Sequence, residues 1–135
     1  MEAPDRKIRV VLVDPDPATL ALELGKLRNH PLIEVSGTGR SGREAMQLAN
    51  RVRPDVIVLD TALPLVNGIE TATRVTEAFP SIGLLFLSED DSPDTVRLAL
   101  RIGVKDYLFK PQDFARLPSA IVDVDQKRQR NAPAK

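Results

Sequence analysis

Short apolar runs recur along the chain, and helical patterns fill the gaps between them. Val10–Val13, Val56–Leu59, Ile82–Leu87 and Val104–Phe109 are rich in Val, Ile, Leu and Phe. Near-continuous apolar runs of this length suit strands buried on both faces of a parallel sheet. Leu32–Val35 is shorter and interrupted by Glu34, which predicts an edge strand.

The intervening helices carry their own start signals. Asp16 can cap a first helix with Pro17 at its first position, and Leu20, Leu24 and Leu27 mark the inner face. Ser41-Gly42-Arg43-Glu44 reads as a capping box opening a second helix, with Ala45, Leu48, Ala49 and Val52 turned inward. Asn67 followed by Glu70 opens a third. Ser92-Pro93-Asp94 opens a fourth, which contains Val96, Ala99 and Leu100 and stops at Gly103. A fifth is expected from Gln112 or Asp113, delayed or kinked by Pro118.

A strand–helix unit repeated five times predicts an α/β fold, a doubly wound five-stranded parallel sheet. Right-handed crossovers place helices on both faces. With the first strand central, the expected order is 2-1-3-4-5, and a ligand site belongs beyond the carboxyl ends of the first and third strands.

Composition narrows the chemistry. The 135 residues suit one domain, and 19 basic residues balance 19 acidic ones, so bulk charge points to no direct nucleic-acid partner. Cysteine is absent, which excludes disulfides, thiolate metal sites and thiol catalysis. No run resembles a signal peptide or suits membrane insertion, and a cytoplasmic location is expected. Residues 1–6 read as a disordered tail, 7–125 as the domain, and 126–135 as a polar, basic helix end or linker.

The carboxyl ends of the apolar runs hold the candidate chemistry. The first gives Asp14 with Asp16 close behind, the third Asp60, the fourth Ser88, and the fifth Lys110 followed by Pro111. Asp14 or Ser88 alone would serve equally as a cap or turn residue. Asp60 beside Asp14 is harder to dismiss, because two close carboxylates raise each other's pKa unless a cation intervenes. Such a set can take a phosphoryl group on Asp60 as an acyl phosphate, with magnesium neutralising the acids. Ser88 would donate to one phosphoryl oxygen and Lys110 would balance another. A metal-assisted hydrolase would need a general base, and the one histidine, His30, falls at a helix end before Pro31.

These residues resemble the receiver domains of two-component response regulators, a flavodoxin-like fold. The matching motifs are Val10-Val11-Leu12-Val13-Asp14, then Pro54-Asp55-Val56-Ile57-Val58-Leu59-Asp60 with Leu63-Pro64 and Asn67-Gly68, then Leu87-Ser88, and Asp106-Tyr107-Leu108-Phe109-Lys110-Pro111. The resemblance implies that Asp60 is the phosphoacceptor, Ser88 the switch hydroxyl and Lys110 the site lysine, with a cis Lys110–Pro111 bond. It further implies Mg2+ held by Asp14, Asp60 and the Ala62 carbonyl. Tyr107 would swing inward as Ser88 moves, although an ordinary amphipathic tyrosine at a strand end fits the position too. Gly68 would permit close packing where the loop enters the third helix. The domain would be a signalling module, not an enzyme beyond self-phosphorylation and self-dephosphorylation.

Two positions depart from the family pattern. Family members usually carry consecutive acids after the first strand, but here Pro15 separates Asp14 from Asp16. Proline brings no carboxylate, so magnesium binding should weaken, with Asp16 turned to capping. Glu89 stands after Ser88 where a small residue is common, and should crowd or repel a phosphoryl group.

Two readings follow. In the first, a histidine kinase or phosphotransfer protein phosphorylates Asp60, and the face of the fourth helix, fifth strand and fifth helix changes its binding. In the second, a pseudo-receiver acts without phosphate as an interaction or homodimerisation module. The stretch Leu87-Ser88-Glu89-Asp90-Asp91 and the basic tail are also similar to the receiver-like domain of Tad/Flp pilus-assembly ATPases. An output domain would lie beyond Lys135.

Overall fold

The computed structural model describes residues 6–130. Five parallel strands form one sheet in the order β2-β1-β3-β4-β5, as the alternation of runs predicts. They are β1 (Ile8–Val13), β2 (Ile33–Gly39), β3 (Val56–Leu59), β4 (Gly83–Ser88) and β5 (Asp106–Phe109). The helices are α1 (Pro17–Leu27), α2 (Gly42–Val52), α3 (Gly68–Ala78), α4 (Pro93–Arg101) and α5 (Leu117–Arg130).

Caps set the helix starts. Asp16 accepts from the Ala18 N–H, Ser41 from Glu44, Asn67 from Glu70 and Ser92 from Thr95. Each satisfies a backbone donor that the first helical turn leaves orphaned. The Glu44 carboxylate reaches back to the Arg40 N–H at 2.8 Å, one residue before the expected capping-box partner. After α4, Gly103 adopts φ +110°, a conformation in which glycine lacks the usual steric penalty.

Alternate strand residues feed two cores, one on each side of the sheet. Val11, Val13, Ile57, Leu59, Leu84 and Phe86 pack with Ala45, Leu48, Ala72, Val75 and Ala99 of α2, α3 and α4. Val10, Leu12, Val58, Leu85 and Leu108 pack with Leu20 and Leu27 of α1 and Ile121 and Val124 of α5. This two-sided burial is why the central strands read as unbroken apolar runs.

Two strand boundaries depart from the expectations, and two further details extend them. β2 runs to Gly39, beyond the predicted Val35, with a register shift between Val10 and Val11 of β1 that leaves Ser36 without a partner in the ladder. β5 begins at Asp106, not Val104. Leu100 of α4 is exposed. The last helix starts late, as Pro118 led one to expect, after a 3-10 turn at Phe114–Arg116, with Pro118 in its first turn where a missing N–H costs little.

Residues 126–130, read as the start of a polar tail or linker, continue α5, and 131–135 lie outside the described residues. Arg128 is not a solvated residue there. Its guanidinium bonds Asp125 at 2.7 Å and Asp55 at 2.9 Å, tying α5 to the start of β3. Of the expected N-terminal tail, 1–5 are likewise outside the described residues.

Candidate functional site

Parallel register brings the strand ends level. The Asp14 N–H donates to Gly39 O, the Asp60 N–H to Val13 O, and the Lys110 N–H to Ser88 O, at 3.0, 3.1 and 2.9 Å. Three residues widely separated in sequence therefore open onto one end of the sheet. The Lys110 ammonium lies between two carboxylates, 2.5 Å from Asp14 Oδ2 and 2.9 Å from Asp60 Oδ2. All three side chains are at least nine-tenths buried, with relative exposures of 8%, 1% and 10%. The remaining carboxylate oxygens take backbone N–H groups, Asp14 Oδ1 from Asp16 and Asp60 Oδ1 from Ala62.

Burial pushes the Asp14 carboxyl above its ordinary range, although the Lys110 bond and the Asp16 N–H pull the other way. Burial works to lower the Lys110 pKa, but its bonds to Asp14 and Asp60 outweigh that and leave it raised. Lys110 is thus a firmly protonated cation.

Ser88 is buried at the end of β4, and its Oγ lies 2.6 Å from Thr61 Oγ1 and accepts from the Asp90 N–H. An open cleft of about 530 Å³ is lined by Asp60, Thr61, Ala62, Ser88, Glu89 and Thr95, among others. Glu89 is exposed at this cleft, where its charge would meet an incoming anion. Thr61 escaped the sequence reading, because a hydroxyl two residues past a strand end looks like any turn residue.

Tyr107 is buried, its ring against Phe86 and Phe109, and its hydroxyl donates to Asp90 O at 2.5 Å. Burial raises its pKa. The tyrosine therefore faces inward toward the loop that follows Ser88. Lys110–Pro111 is cis. His30 sits beyond the end of α1, its Nδ1 accepting from the Leu32 N–H, remote in role from this cluster.

The loop after Asp60 is tightly constrained. The Val66 N–H bonds Pro64 O at 2.7 Å around Leu65, whose φ is +67°, which makes a γ-turn that leaves Leu65 fully exposed. At Gly68 an added Cβ would stand 2.3 Å from Asp60 O and 2.5 Å from Thr61 Cα. Only glycine allows the start of α3 to press against the backbone of Asp60.

Asp16 does what its shifted position predicts. Its carboxylate takes the Ala18 N–H and the Thr19 hydroxyl, and those bonds, the Thr19 hydroxyl first, lower its pKa. The Pro15 carbonyl is taken by the Arg40 guanidinium. No second acid replaces the one missing at Pro15, and no cluster of three or more metal-binding side chains occurs among the described residues.

A sequence model described as the response regulator receiver domain matches residues 10–122. The chain belongs to that family. DegU of Brevibacillus brevis, a transcriptional regulatory protein, is 31% identical over 122 residues, covering 90% of this chain and 52% of that protein. The chemotaxis protein CheY of Thermotoga maritima is 28% identical and covered over 98% of its length, against 87% of this chain. The response regulator domain of Thermotoga maritima CheB superposes with a TM-score of 0.84 at 26% identity, covering 90% of this receiver domain and 98% of that one. The chain spans about half the length of the first curated relatives it matches. The expected link to pilus-assembly ATPases gains no support from these relatives, nor does a phosphate-independent pseudo-receiver.

Magnesium can be tested against this receiver site. It needs only one or two carboxylates, the rest of its shell coming from water and phosphate. Asp14 and Asp60 supply two, with the Ala62 carbonyl the backbone candidate beside them. The donor set fits, with one acid fewer than the family pattern and with Lys110 holding an oxygen of each carboxylate.

Proposed function

We propose that this receiver domain accepts a phosphoryl group on Asp60 from a histidine kinase or phosphotransfer protein and passes the change to a partner surface. The observation that carries the reading is the Lys110 ammonium bridging Asp14 and Asp60 beside a cleft that Ser88 also lines.

An Asp60 carboxylate oxygen attacks the donor phosphorus, and the bond to the donor's leaving group breaks. Lys110 is suited to balance the new charge, since it is cationic and already within 2.9 Å of Asp60. Ser88 turns its hydroxyl from Thr61 toward the phosphoryl oxygens. Bound magnesium would offset the negative charge of acids and phosphoryl group, held by Asp14, Asp60 and the Ala62 carbonyl. Movement at Ser88 loosens the Asp90 turn it anchors, and Tyr107 is bonded to Asp90 O. The signal therefore reaches α4, β5 and α5, the face proposed for a homodimer or an output domain beyond Lys135. The reading places the chain in the cytoplasm, with no direct nucleic-acid contact of its own.

Pro15 is the observation that favours the second reading, a module working without phosphate. Incubation with a small phosphodonor and Mg2+, followed by intact mass measurement, decides between them. A single phosphoryl gain that is absent in Asp60→Ala supports phosphotransfer. No gain at high donor and magnesium concentrations leaves the phosphate-independent module.

A further inference from the structure

One buried acid has no part in the mechanism above. Glu23 is 1% exposed, among the largest fully buried side chains, and its Oε1 has no hydrogen-bond partner among the described residues. It lies on the inner face of α1 between Leu20 and Leu27, a position that packing alone would give to an apolar residue. Side chains on a helix lean toward its N-terminus, which for α1 is the end that carries Asp16 and the site. The charges that reach Glu23 are those of Asp14, Lys110 and Asp60, from the ends of β1, β5 and β3.

Lys110 has a matching need. An ammonium offers three donors, and Asp14 and Asp60 take two of them. A cation placed between Asp14 and Asp60 would claim the oxygens Lys110 now holds. Lys110 is itself 8% exposed, so an ammonium released from Asp14 needs another acceptor within the protein.

We infer that Glu23 is a positioning residue of the phosphoacceptor site, the reserve acceptor for the Lys110 ammonium when Asp14 is engaged elsewhere. No covalent step is involved. The ammonium exchanges one carboxyl partner for another and keeps its proton. The role rests on the proposed phosphotransfer reading, because a cation at Asp14 is what displaces the lysine. The pairing itself does not depend on that reading.

The test is a mutant cycle on the full chain, read as the folding equilibrium constant from urea unfolding at pH 7. Asp14→Asn removes the negative charge that Asp14 offers Lys110 without changing side-chain shape. With Glu23 in reserve, this substitution is tolerated better in the native chain than in Glu23→Leu. The expected extra loss in the Glu23→Leu background is fivefold or more. An extra loss smaller than fivefold overturns the inference, for then Glu23 is a tolerated flaw in the core. Glu23→Leu fills an apolar position and should fold.

Repulsion between Asp14 and Glu23 would give coupling of the same sign, so the cycle is repeated with Lys110→Met. Reserve pairing predicts that the coupling disappears without the ammonium, and its persistence overturns the inference. A magnesium titration then separates the two readings. If the native chain takes up Mg2+, Glu23→Leu weakens the affinity several-fold, and unchanged affinity overturns the reserve role. If the native chain takes up none, the phosphotransfer reading fails, while the mutant cycle still judges the Glu23–Lys110 pairing.

Discussion

Glu23→Gln should flatten the dependence of stability on pH. Burial comes first among the causes, reinforced by the Asp14 charge, and it lifts the Glu23 carboxyl from the ordinary 4.5 to about 8. Below pH 4.5 both folded and unfolded chains hold the proton, so ionisation costs nothing. Between 4.5 and 8 the unfolded chain releases it while the folded chain keeps it, and stability falls as pH rises. Above pH 8 both states are ionised and the loss is complete. Each pH unit in that window is worth about 1.4 kcal/mol, so the native chain should lose roughly 2–4 kcal/mol from pH 5 to 8 through this one group. Glutamine cannot ionise and removes the slope whatever it does to absolute stability. The raised Asp14 and the lowered Asp16 and Asp90 titrate from near 3.8 in the unfolded chain, and Lys110 acts only above 10.5. All four are common to both proteins. Urea unfolding at pH 5, 6, 7 and 8 gives the difference curve directly. A difference that stays constant over that range refutes the reasoning, for Glu23 would then be ionised in the folded chain.

Three other substitutions probe the site. Gly68→Ala puts a Cβ 2.3 Å from Asp60 O, and should lower stability by about 1–3 kcal/mol in urea unfolding while impairing any reaction at Asp60. Lys110→Met leaves Asp14 and Asp60 as neighbouring buried acids without their shared cation, and should destabilise the fold by roughly 3–5 kcal/mol in urea unfolding at pH 7. Pro15→Asp restores the second consecutive acid and should tighten Mg2+ binding in calorimetry, and unchanged affinity would undercut the account of that departure.

The sheet and its helix order were legible because two-sided burial writes itself as apolar runs, and because Asp16, Ser41, Asn67 and Ser92 are caps that sequence alone can place. The full length of β2 was not, since Ser36-Gly37-Thr38-Gly39 carries no apolar signal and its pairing comes entirely from the β1 backbone. Gly37 could have been a clue, because Leu48 approaches its Cα so closely that a Cβ would meet Leu48 Cδ2 at 3.0 Å. At the site, Asp14, Asp60 and Lys110 followed from their positions after the runs. Their shared ion pair did not, as it depends on the register of three strands. Glu23 was hidden by its residue type. Its spacing from Leu20 and Leu27 puts it on the buried face, yet an acid on a helix is ordinarily read as solvated.

Phosphotransfer as proposed puts the phosphoryl group on the Asp60 carboxylate. Borohydride reduction after treatment with phosphodonor and Mg2+ converts an acyl phosphate to an alcohol, and peptide mapping by mass spectrometry then locates it. Homoserine is expected at position 60 alone. Homoserine at Asp14 instead, or an unmodified Asp60 after demonstrated phosphoryl uptake, would contradict it.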